Sequence, residues 1–109
     1  MQTAKENQGL NNLTPVPQDF FESLLPSLTL AEVRVYLYLY SKFYKMGSAS
    51  GVVSIGEMTE AFNTSRMGIL RGINSLDDKG YITREKRQSP SEGYLSSRYT
   101  IPLLERNLL

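Results

Sequence analysis

Arg66, Arg71 and Asn74 fall within one nine-residue stretch, with Ser65 directly before them. Side chains of these types read base edges: an Arg guanidinium pairs bidentately with guanine, and an Asn carboxamide with adenine. Ser65, at the start of the stretch, is placed to meet a phosphate. A second cationic group follows at Arg84, Lys86 and Arg87, with Arg98 beyond it. Such side chains gain affinity for a polyanion by releasing its condensed counterions. Other chemistry is thin. Glu57 and Glu60 lie three apart, but nothing marks a desolvated pocket or a partner acid. His and Cys are both absent, which removes the commonest general base, thiolate nucleophiles and disulfides together. No catalytic residue, metal site or cofactor is expected, and the chain reads as a non-enzyme.

The charge is unevenly placed. The whole chain of 109 residues has a formal net charge of only +1. Residues 1–63 carry four Lys/Arg against six Asp/Glu, whereas residues 64–98 carry seven against four. Only the second part offers a footprint for a polyanion, although a solvated basic face gives the same pattern. With 40% apolar residues the chain can bury one small core. No apolar run reaches the ~20 residues that span a bilayer, and the polar start is unlike a signal peptide. A cytoplasmic domain without membrane contact is expected.

Three helices must position these side chains. Residues 1–13 read as a disordered arm, residues 14–102 as the folded domain, and residues 103–109 as a tail or the start of a linker. After Thr14-Pro15-Val16-Pro17, Asp19 is placed to cap a short apolar helix, Phe20–Leu25, stopped by Pro26. Thr29-Leu30-Ala31-Glu32 is a capping box that opens the first long helix. Val33, Tyr36, Leu37, Tyr40, Phe43 and Tyr44 recur at helical spacing, and Gly47 supplies the stop. Tyr38 falls off this stripe. Val52-Val53 suits a brief strand. Ser54-Ile55-Gly56-Glu57 repeats the capping-box pattern and starts a second helix. After Asn63-Thr64-Ser65 a third helix carries Ile69, Ile73 and Leu76 inward and ends at Gly80. Residues 81–87 and 94–101 then alternate as the two strands of a hairpin.

This order predicts a mainly α fold with a small β-hairpin: a winged helix-turn-helix of three core helices, a wing and a short extra N-terminal helix. The third helix then presents Ser65, Arg66, Arg71 and Asn74, and the wing presents Arg84, Lys86, Arg87 and Arg98. Gly68 and Gly72 lie four apart on the third helix. They either admit a DNA backbone or partner helix, or let the third helix press on the first. Phe20, Phe21, Leu24, Leu25, Tyr36, Tyr38 and Tyr40 form an apolar set large for so small a domain, and read as a dimer interface.

Thr14-Pro15-Val16-Pro17-x-x-Phe20, Leu25-Pro26 and Glu32-Val33-Arg34-Val35-Tyr36-Leu37-Tyr38-Leu39 resemble the N-terminal winged-helix domain of DnaD-like replication proteins and of phage and plasmid initiators. The resemblance covers about residues 14–101 and implies a role in loading or organising replication machinery. It implies a homodimer or higher oligomer, weak binding of double-stranded DNA, and other replication proteins as partners. In that family the winged helix serves largely in self-association, and a separate C-terminal domain carries much of the DNA binding. Two alternatives stay open: a transcriptional regulator of the same fold, and a protein–protein scaffold with little DNA affinity.

Overall fold

The computed structural model describes residues 13–86 and 96–108. The chain enters through Thr14–Pro17, which form no regular element, and a π-helical turn, Phe20–Leu24, that runs into a 3-10 turn, Leu25–Ser27. Asp19 does not cap this segment as expected. Its backbone is already helical and its side chain accepts no capping bond. The first contact is instead from the Phe20 N–H to the Pro17 carbonyl, at 3.0 Å.

Helix α1, Leu30–Met46, begins with both halves of the capping box in place. The Glu32 N–H donates to Thr29 Oγ1 at 3.3 Å, and the Thr29 N–H donates to Glu32 Oε1 at 2.7 Å. It ends at Gly47, whose φ of 73° lies in the left-handed region that a side chain disfavours. The buried face is Val35, Tyr36, Leu39, Tyr40 and Phe43. Relative to the expected stripe, Val33, Leu37 and Tyr44 are only half-buried, whereas Val35 and Leu39 lie fully inside.

Strand β1, Ser50–Ser54, leads into α2, Ile55–Phe62, and after a turn into α3, Arg66–Asp78. Asn63 makes that turn in the left-handed region, at φ 51°, which a short amide side chain tolerates. Gly80, at φ 78°, then redirects the chain into β2, Thr83–Lys86. Strand β3, Ser96–Thr100, and a last short helix α4, Pro102–Asn107, complete the fold. The sheet is antiparallel with order β1-β3-β2. It is therefore larger than the expected hairpin: β1 pairs along its length with β3, from Ser50 opposite Thr100 to Ser54 opposite Ser96.

The core joins all these parts, with Tyr36, Met58, Ile73, Leu76, Ile82 and Tyr99 at its centre. Packing continues past residue 102, contrary to a tail beginning at 103. Leu103 and Leu104 are 5% and 1% exposed because α4 lays them on the core. No described helix is long and apolar enough to cross a membrane.

Candidate nucleic-acid interface

Helix α3 has two unlike faces. Ile69, Gly72, Ile73 and Leu76 are buried. At about 3.6 residues per turn, the residues pointing directly away from them are Met67, Arg71, Asn74 and Asp78. All four are exposed. Arg66 is also exposed, but its position on the helix lies to one side of this stripe. Met67, which the sequence reading passed over, is 59% exposed and sits one turn before Arg71. Its signal was present in the sequence as an apolar residue half a turn away from Ile69, Ile73 and Leu76.

The N-terminal end of α3 is capped and free of acidic side chains. Ser65 is the cap, its Oγ accepting from the Gly68 N–H at 3.1 Å, and no carboxylate lies in the first turn. First-turn N–H groups without an intrahelical acceptor, together with the helix dipole, favour negative charge. The opposite end carries Asp77 and Asp78, both exposed. Charge along α3 thus runs from positive in the first two turns, at Arg66 and Arg71, to negative in the last, at Asp77 and Asp78.

The two glycines of α3 have separate roles. A Cβ on Gly72 would lie 3.0 Å from the Ala31 carbonyl oxygen and 3.3 Å from Val35 Cγ2. Gly72 therefore sets the close crossing of α3 and α1. A Cβ on Gly68 would meet only Ser65 Oγ at 3.4 Å and Thr64 Oγ1 at 3.6 Å, which is ordinary contact. Packing within the chain does not require Gly68.

The crossing is fastened by a buried carboxylate. Glu32 is 1% exposed and accepts from the Ser75 hydroxyl and from Lys79 Nζ, at 3.0 Å, in addition to the Thr29 N–H. Lys79 Nζ also donates to the Ser27 carbonyl at 2.8 Å, tying the entry turn to the end of α3. Burial alone would raise the Glu32 pKa. The hydrogen bonds from Ser75, Thr29 and Lys79, with the Lys79 charge, outweigh it and lower the pKa to about 2.

Glu57 takes a different course from the second capping box that its spacing suggests. Ser54 Oγ accepts from the Glu57 N–H at 3.0 Å, but the Glu57 carboxylate does not return to the cap. It receives the Tyr38 hydroxyl at 2.5 Å and the Lys42 ammonium instead. Partial burial opposes its charge, and those two partners reverse the effect and hold its pKa below the usual carboxylate value. The same contact works on Tyr38 in the other direction. Desolvation first, and then the neighbouring Glu57, push its phenol up to about 12. The Tyr38 ring also meets Phe62 edge-on, with centroids 5.3 Å apart.

Arg84 and Arg98, the strand cations whose side chains are described, do not share one patch. Arg84 is half-buried, pairs in register with Tyr99, and donates from Nε to Ser97 Oγ at 3.1 Å. Ser97 and Tyr99 belong to the buried face of β3, whereas Arg98 between them is exposed. Arg84 and Arg98 therefore occupy opposite faces of the sheet, because the side-chain period of a strand is two. Arg98 stands opposite Glu85, which offsets its charge. Lys86 stands opposite Ser97 in register. Arg87 lies outside the described residues.

The expected dimer interface is corrected in a similar way. Phe20, Tyr36 and Tyr40 are at most 1% exposed, so they have no surface to offer a partner. Phe20 stacks on Tyr36 at 5.1 Å, and Tyr36 on Tyr40 at 6.1 Å, forming an aromatic column inside the domain. Leu24, Leu25 and Tyr38 are half-buried against the core. Phe21 alone of the seven is exposed, at 47%, its ring edge-on to Phe20. A groove of about 300 Å³ is walled by Pro15, Pro17, Tyr44, Leu104 and one side of Tyr40, among others. Its lining is mostly apolar, with the Tyr40 and Tyr44 phenols and Asn107 as its polar side chains.

No family model matches the chain, and no curated protein does so either.

Proposed function

We propose that this chain is a winged helix-turn-helix DNA-binding domain, with α2, the Asn63–Ser65 turn and α3 as the helix-turn-helix and β2–β3 as the wing. The observation that carries the reading is the outward stripe of α3. Met67, Arg71 and Asn74 face solvent beside a capped helix N-terminus free of carboxylates, while the opposite face is locked into the core. A rigid helix held in this way can enter a major groove with its first turns against the base edges. Arg71 and Asn74 then read bases, Ser65 and Arg66 meet phosphate, and Arg84 with Lys86 supplies further backbone contact. A place in bacterial or phage replication initiation follows from the resemblance of residues 14–101 to DnaD-like proteins, and adds oligomerisation and other replication proteins as partners.

Anisotropy of a labelled random duplex tests the reading. Each phosphate neutralised contributes about −0.9 to the slope of log K against log salt. Two to four contacts therefore predict a slope of roughly −2 to −4 for each protomer. No binding at about 50 mM salt overturns the proposal.

A second reading, a self-associating scaffold, is favoured by the exposure of Phe21 (47%) and Leu30 (65%) at the entry turn and the start of α1. Sedimentation separates the two. A dimer that Phe21→Ser dissolves, together with no affinity for duplex, supports the scaffold.

A further inference from the structure

We infer that Met67 is a specificity-determining residue that reads the C5-methyl group of a thymine in the major groove. The inference rests on the DNA-binding reading above. Met67 lies at the centre of the α3 face pointing away from Ile69, Gly72, Ile73 and Leu76, and it is the only large apolar side chain of α3 that is strongly exposed. Leu70, the helix's remaining leucine outside the core stripe, is half-buried. Met67 stays 59% exposed in the monomer, and it occupies the first turn, where a groove-bound helix comes closest to base edges.

Its chemistry narrows what it can recognise. A thioether donates no hydrogen bond and accepts only weakly, so the donor and acceptor pattern of a base edge is closed to it. Thymine alone among the four bases presents a methyl group in the major groove. A flexible, polarisable methionine packs well on such a group. The surroundings favour a duplex over an apolar protein surface. Arg66 and Arg71 flank Met67 with positive charge, Asn74 continues the stripe, and Asp78 closes it one turn later. Gly68, next to Met67 in the chain and half-buried, has no side chain where packing would accept a methyl group. A duplex can therefore approach the first turn closely enough for a methyl contact.

The test starts with selection of a duplex by the 109-residue chain from a random pool. The enriched duplex is then remade with deoxyuridine replacing thymidine at one position at a time, which deletes only the methyl group. Loss of affinity at one position by about four-fold, the worth of one buried methyl group, is expected for the parent chain. Met67→Ala should lose a similar factor on the thymine duplex and ignore the uracil exchange, while Met67→Leu keeps the preference. Unchanged melting of Met67→Ala shows that the comparison is between folded proteins. Equal affinity for all uracil-substituted duplexes, or a thymine preference that survives in Met67→Ala, overturns the inference and leaves the DNA-binding reading standing. Failure to bind the random pool at low salt overturns both.

Discussion

The seam between α1 and α3 and the opposite face of α3 belong to the same thirteen-residue helix but are built on contrary rules. At the seam Gly72 is needed because the Ala31 carbonyl oxygen lies 3.0 Å from where a Cβ would be, and Glu32, Ser75 and Lys79 lock the crossing. On the opposite face Met67, Arg71 and Asn74 stand exposed, and Gly68, at the flank between the two faces, has room for a methyl group. A glycine inside a helix costs about 1 kcal/mol relative to alanine. At Gly72 the close helix contact offsets that cost; at Gly68 nothing within the chain does. The difference teaches where to look for selection by an outside partner: at positions that lower stability without a packing reason.

The comparison can be broken first at Glu32. Glu32→Ala leaves the Thr29 N–H and the Ser75 hydroxyl without their acceptor and should cost about 3 kcal/mol, read as a lower urea midpoint. A midpoint shift no larger than that of an ordinary surface substitution would remove the seam's special status. The pH dependence sharpens the same point. Because the folded pKa of Glu32 is depressed to about 2 from 4.5, its contribution is fully present above pH 4.5 and is lost as pH falls towards 2. A depression of that size corresponds to about 3 kcal/mol, so parent stability should drop across this window while Glu32→Ala shows a much shallower decline. Glu57 changes stability in the same direction, more weakly because solvent screens its ion pair with Lys42.

Smaller effects divide the two faces directly. Gly72→Ala should destabilise by about 1–3 kcal/mol, since the obstructing atoms are backbone and cannot rotate aside. Gly68→Ala should stabilise by up to about 1 kcal/mol in thermal unfolding, and weaken duplex binding by crowding the approach to the first turn. A stabilised variant with undiminished affinity would contradict the account of Gly68. Arg71→Ala should leave stability within about 0.5 kcal/mol of the parent and reduce affinity for a preferred duplex.

What the sequence made legible was local. Thr29, Ser54 and Ser65 at helix starts, and Gly47 and Gly80 at helix ends, act through neighbours within four residues, and the expected helices follow from them. Strand β1 was shortened in the reading because Ser50 and Gly51 carry little strand signal. Their pairing comes from β3, nearly fifty positions later. Glu57 left its capping box because Tyr38 and Lys42, on another helix, compete for its carboxylate. Phe20, Tyr36 and Tyr40 suggested a surface because sequence spacing cannot show that they stack on one another in the core. The candidate site was legible at Arg71 and Asn74 through helical period alone. Met67 was missed because an apolar residue draws attention as core unless its angle around the helix is followed. Arg84 and Arg98 were grouped by charge, and only the strand register shows that they face apart.

The most direct test of the outward face as a DNA-binding surface is an amide chemical-shift map of the labelled chain titrated with a random duplex at low salt. The account predicts the largest perturbations at Ser65, Arg66, Met67, Gly68, Arg71 and Asn74, with smaller ones on β2, and little change at Phe21 and Leu30. Perturbations centred on Phe21 and Leu30, or none along α3, would contradict it.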